Sequence, residues 1–109
     1  MNWYYLQTAE QLANLKKESF KTPYVIFKHS TRCSISNVAK SRLERSSAPP
    51  NVEFHILDLL KYRSISNAIA DEFGVWHESP QVLIIKDGKC IYDESHAAID
   101  MEQIKDQLN

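Results

Sequence analysis

The 109-residue chain reads as an α/β domain built on a mixed central sheet, and three observations predict it. Short apolar runs alternate with segments of helical periodicity through residue 74, the pattern of parallel strands joined by crossover helices. Beyond Pro80, "VLIIK" and "KCIYDE" are separated only by Asp87-Gly88, a pair suited to a tight hairpin, so the sheet gains an antiparallel edge. Composition is that of one globular domain over residues 1–109, with 43% hydrophobic and 25% charged residues. The expected order is β-α-β-α-β-α-β-β-α, with helices on both faces because a parallel connection must travel back over the sheet.

Each element has its own signal. Trp3–Leu6, "WYYL", is an aromatic-rich short strand. Thr8 followed three residues later by Gln11 is a capping box, and Leu12 and Leu15 share one face of the helix it starts. Pro23 precedes the buried-strand run Tyr24–Lys28. From Ser34 the spacing Ile35, Val38, Ala39, Leu43 predicts a helix with those residues inward, ended by "SSAPPN" with its loop prolines Pro49 and Pro50. Val52–Leu57 is the next strand, with His55 a hydrogen-bonded strand histidine. Ile65, Ala68, Ile69 and Phe73 mark a helix that Gly74 stops. Trp76, in the loop before Pro80, is expected against the core, and Asp100 with Gln103 caps a last helix.

Several function classes fall away at this level. A net charge of −1 and only two glycines offer neither a nucleic-acid footprint nor a phosphate-cradling loop. Apolar runs of about four residues are far short of the ~20 that span a bilayer, so no membrane partner is expected. "MNWYYLQTAEQ" has no signal-peptide pattern, which points to the reducing cytosol and to transient disulfide chemistry. Four histidines and two cysteines lack metal-ligand spacing, so no metal site is expected. A phosphatase-type C-x₅-R loop fails at Ala39.

The chemistry concentrates in "KHSTRCSISNVA" (Lys28–Ala39), where Cys33 sits between a strand and a helix start. Unpaired N–H groups and the helix dipole favour an anion there, and the thiolate is the nucleophile. Ser36, one turn on, is placed to donate to the sulfur, and Lys28, His29 and Arg32 can add positive charge. Because residue 36 is serine, Cys33 cannot close an internal disulfide across C-x-x-S, so an external small thiol must resolve its adducts. Cys90, beyond the turn at the far end of its strand, is expected to be a bystander.

The element order, with a cysteine after the second strand and a proline before the fourth, resembles the thioredoxin-like fold. "FKHSTRCSIS" with "HESPQ" resembles the monothiol bacilliredoxins, which carry a T-C-P-I-S-type motif. Ser34 stands where that family often has proline, and Arg32 directly precedes the cysteine. The resemblance implies a bacterial oxidoreductase whose Cys33 removes bacillithiol from protein mixed disulfides, with a low-molecular-weight thiol as co-substrate and no bound cofactor. It further implies a cis Ser79–Pro80 bond, with Ser79 and Pro80 contacting substrate backbone, and Thr31 beside the nucleophile. Bacillithiol carries a malate, so Arg32 and Lys28 are candidate carboxylate contacts, and His96 in "HAAID" is a third. Two other functions compete. An iron–sulfur carrier could bridge a cluster through Cys33, as monothiol glutaredoxins do, and a redox-silent binding module could keep only the fold.

Overall fold

Local rules set the first helix as the sequence predicts. In the computed structural model, which describes residues 1–108, Gln11 N–H donates to Thr8 Oγ1 at 3.1 Å and Thr8 N–H donates to Gln11 Oε1 at 3.0 Å. The described elements run β1 (Trp3–Tyr5), α1 (Ala9–Glu18), β2 (Tyr24–His29), α2 (Ser34–Arg45), β3 (Glu53–Asp58), α3 (Arg63–Phe73), β4 (Gln81–Lys86) and β5 (Lys89–Ser95). A 3₁₀ turn (His96–Ala98) then leads into α4 (Met101–Leu108). That turn is additional to the expected order and separates the sheet from the helix that Asp100 caps through Gln103 N–H at 3.3 Å.

The sheet order is β1-β3-β2-β4-β5, parallel for the first three and antiparallel at β2/β4 and β4/β5. Strands β2 and β4 are central and covered on both faces, which is why they read as continuous apolar runs. Alternation divides their side chains between two cores. Val25, Phe27, Val82 and Ile84 pack with Ala39 and Leu43 of α2 and Met101 and Ile104 of α4. Tyr24, Ile26, Leu83 and Ile85 pack on the other face with Leu12 and Leu15 of α1 and Ile65 and Ile69 of α3. Each Val, Leu, Ile, Phe or Met side chain among them contributes ~1.5–3 kcal/mol by leaving water.

The hairpin turns on Asp87 and Gly88, both at positive φ (54° and 75°), the geometry of a type I′ turn. One residue along, the ladder is irregular. Ile84 faces Tyr92 while Ile85 faces Cys90, so Ile91 is an extra residue in β5. Gly74 ends α3 in the left-handed region, with its N–H bonded to Ala70 O.

Trp76 departs from expectation: it is 89% exposed rather than packed on the core. Its carbonyl, not its ring, is the structural contact, accepting from Gln81 Nε2 at 3.0 Å. In α2 the inward stripe is Ser36, Ala39 and Leu43, while Ile35 and Val38, expected inward, are 52% and 57% exposed.

Candidate active site

The site forms where β2 and β4 reach the same edge of the sheet. Lys28 pairs with Gln81, so the segment after β2, carrying Cys33, lies beside the segment before β4, carrying Pro80. Cys33 is the N-cap residue of α2, with extended backbone (φ −103°, ψ 118°) and a half-buried side chain. Its carbonyl receives Asn37 N–H at 3.0 Å and its own N–H donates to Ser30 O at 3.1 Å, fixing the thiol at the first turn. No acidic residue occupies that turn, so nothing there offsets the positive end of the helix dipole.

The Ser79–Pro80 bond is cis, in agreement with the expectation. Pro80 O accepts from His96 N–H at 3.0 Å, bringing the 3₁₀ turn to the same edge. His96 takes a positive φ of 59°, and its Nε2 lies 3.3 Å from a Glu78 carboxylate oxygen. Arg42 reaches from α2 to Ala97 O at 3.3 Å. Ile35, Val38, Arg42, His96 and Ala97 thereby line a shallow groove of about 210 Å³ along α2. Ser79 Oγ, next to Pro80, is buried without a hydrogen-bond partner among the described residues.

Two expected roles need correction. Ser36 is fully buried, and its hydroxyl is taken by His29 Nδ1 at 2.6 Å and by Ser30 N–H at 3.1 Å, not by the sulfur. The reason is the helix phase: residue 36 faces the sheet, where β2 ends in His29. Burial lowers the His29 pKa, and the Lys40 charge adds to that, while Asp58 and Glu44 oppose it. His29 also stacks on Phe27, with centroids 5.6 Å apart, so it serves the core under α2.

Lys28, expected as a substrate cation, points to the opposite face of the sheet. It is fully buried, donating to Ser66 O at 3.1 Å and approaching His77 Nδ1 at 3.4 Å. Burial pushes its pKa down to about 8. Thr31 and Arg32 are exposed beside Cys33, and Thr31 O accepts from Asn37 Nδ2 at 3.4 Å. The structure therefore brings Thr31, Arg32, Cys33, Ser79, Pro80 and His96 to one edge and removes Lys28 and the Ser36 hydroxyl from it. His77, paired to Ser66 Oγ at 3.2 Å, carried no expected role, and Ile35 and Val38 were expected in the core rather than along a groove. A polar residue at the inward position of the 36-39-43 stripe was the signal available.

Cys90 lies in β5 with its Sγ donating to Tyr92 O at 3.2 Å, packed against the α1/α3 core. Its partner Ile85 faces Tyr24 at the start of β2. Five residue steps to His29, about 16 Å at ~3.3 Å each, separate that end from the site, against the ~7 Å between Cα atoms that a disulfide tolerates. No group of three or more potential metal ligands occurs among the described residues, and no helix is long and apolar enough to cross a membrane.

Solved structures share this architecture. One described as having a thioredoxin fold superposes with a TM-score of 0.83 at 23% identity, covering 98% of this chain and 94% of the other. Malassezia sympodialis thioredoxin gives a TM-score of 0.76 at 16% identity, over 98% and 88% of the two chains. Fasciola hepatica thioredoxin gives 0.74 at 21% identity, over 96% and 95%. These likenesses establish the thioredoxin-like fold. The family model of the monothiol bacilliredoxin BrxC matches residues 4–104, almost the whole chain. With its lone thiol at the start of α2 beside a cis-proline, the chain belongs to the monothiol bacilliredoxin family of thiol oxidoreductases.

Proposed function

We propose that the protein removes bacillithiol, or a similar low-molecular-weight thiol, from protein mixed disulfides by monothiol exchange at Cys33. The observation that carries this is the isolation of the thiol. Cys33 opens α2, position 36 is a buried serine, and Cys90 sits at the far end of the sheet on its other face. In the first step the Cys33 thiolate attacks the small thiol's sulfur. A new disulfide forms, the old one breaks, and the protein sulfur leaves as a thiolate that takes a proton from water. No second protein thiol is in reach, so a second small thiolate attacks the adduct. It leaves the small thiol as its own disulfide and restores Cys33.

The groove along α2 suits the protein half of such a substrate, with apolar Ile35 and Val38 along it. A reducing, cytoplasmic setting would supply the second thiol. The test is release of bacillithiol from a model protein mixed disulfide, followed by intact mass. Cys33→Ser is expected to abolish release, and Cys90→Ser to retain most of it. Loss of most release in the Cys90 variant would overturn the single-thiol mechanism.

A further inference from the structure

On the side of Cys33 away from the groove along α2, the carboxyl ends of β1, β3 and β2 open onto a cavity of about 320 Å³. That volume lies within the range of small-molecule sites, and the carboxyl edge of parallel strands is where open α/β sheets hold ligands. Its walls are set by hydrogen bonds. Leu6 N–H donates to Ile56 O at 2.9 Å, and Leu59 N–H donates to His29 O at 3.0 Å. Asp58 Oδ1 receives the N–H groups of Leu60 and Lys61 at 3.1 and 3.4 Å. His29 closes the back, and its Nδ1 is already engaged with Ser36.

Charge at the rim is uneven. Lys40 and Lys61 both line the cavity, with Asp58 as the lining carboxylate. Lys40 is paired to Glu44 at 3.0 Å. Lys61 is exposed and lies 5.6 Å from the centroid of the Tyr62 ring, with no carboxylate partner among the described residues. Thr31, two residues before the nucleophile, forms the side nearest Cys33.

Resting on the thiol-exchange reading above, we infer that this cavity is the subsite for the polar, carboxylate-bearing tail of the small thiol. Lys61 contacts the carboxylate, and Thr31 and Tyr62 offer hydroxyls to the remainder. The two halves of a mixed disulfide then separate across Cys33. The polypeptide lies along the Ile35–Val38 groove and the small thiol's tail enters the lysine-rimmed cavity. Specificity for an anionic small thiol comes from residues outside the C-x-x-S segment.

The test measures the rate at which Cys33 of the full chain is thiolated by oxidised bacillithiol, and by neutral bis(2-hydroxyethyl) disulfide, using intact mass. The ratio of the two rates is the readout, because it cancels any change in the thiol itself. Lys61→Ala is expected to lower the ratio about fivefold, with Lys61→Arg restoring it, as for one partly solvated charge-assisted contact. Lys89→Ala, at the opposite end of the sheet, should leave the ratio unchanged. Raising the salt to 1 M should shrink the wild-type ratio toward that of the Lys61→Ala variant. Reaction with both disulfides but an unaltered ratio in Lys61→Ala overturns the subsite while leaving monothiol exchange standing. Failure of both disulfides to react overturns the exchange reading and the subsite together.

Discussion

Lys28 and His29 are consecutive residues of β2, both buried, and their polar ends enter opposite cores under opposite terms. His29 meets Ser36 at 2.6 Å in a compact arrangement that also satisfies Ser30 N–H, and burial favours its neutral ring. Lys28 brings an ammonium to a backbone carbonyl and an imidazole at 3.1 and 3.4 Å, with no carboxylate among its hydrogen-bond partners. A neutral pair costs little to bury once its hydrogen bonds are made, whereas a buried cation keeps paying in desolvation. The difference teaches that this edge of the sheet is braced twice. One brace ties β2 to α2 beneath Cys33, and the other ties β2 to α3 and to the loop leading to Pro80.

The largest effect expected from that difference is a pH dependence carried by Lys28. The unfolded chain holds this proton up to the ordinary value of 10.5, while the folded chain releases it from about 8. Folding therefore sheds a proton in between, and stability rises with pH across that window. Relative to Lys28→Met, wild type should gain roughly 2–3 kcal/mol between pH 7 and 10, read from denaturant midpoints. Taking the difference between the two chains removes the opposing contributions of Cys90 and Tyr24, whose pKa values burial raises. A flat difference would mean the Lys28 ammonium is not desolvated.

Ser36→Ala probes the other brace. It leaves His29 Nδ1 and Ser30 N–H without their partner, and should cost about 1.5 kcal/mol at pH 7. Equal stability of variant and wild type would show that water reaches the pair. The smallest effect belongs to Ser66→Ala, expected below about 1 kcal/mol in the same measurement. Lys28 is received by the Ser66 backbone carbonyl, which the variant keeps, so only the contact to His77 is lost. A cost above that of Ser36→Ala would reverse the ranking of the two braces.

Much of this was legible before any coordinates. The order of strands and helices follows from periodicity and turn residues, because β2 and β4 are apolar throughout and Asp87-Gly88 has few conformational choices. Cys33 was legible because a polar thiol between strand and helix has few structural uses. The phase of α2 was not. Ile35 and Val38 satisfy helical spacing as well as the true stripe does, and a buried serine that finds a histidine carries no hydrophobic signal. Lys28 misled for a related reason. Charge implies exposure unless the partners are known, and Ser66 and His77 lie 38 and 49 residues away. Trp76 shows the converse, a large aromatic left in solvent by the path of its loop.

The extra residue in β5 has a consequence for the count of thiols on each side of the sheet. Residues two apart on a regular strand share a face, yet Tyr92 packs with the α2/α4 core and Cys90 with the α1/α3 core. Ile91, 44% exposed, is the spacer that turns one against the other. Absorbing the bulge with that residue retained, so that Ile91 takes the place opposite Ile85 while Tyr92 stays opposite Ile84, would carry Cys90 through the sheet to the side that α2 covers. The segregation of the two sulfurs is thus set by the bulge, and any slip of register that regularises this hairpin rewrites it.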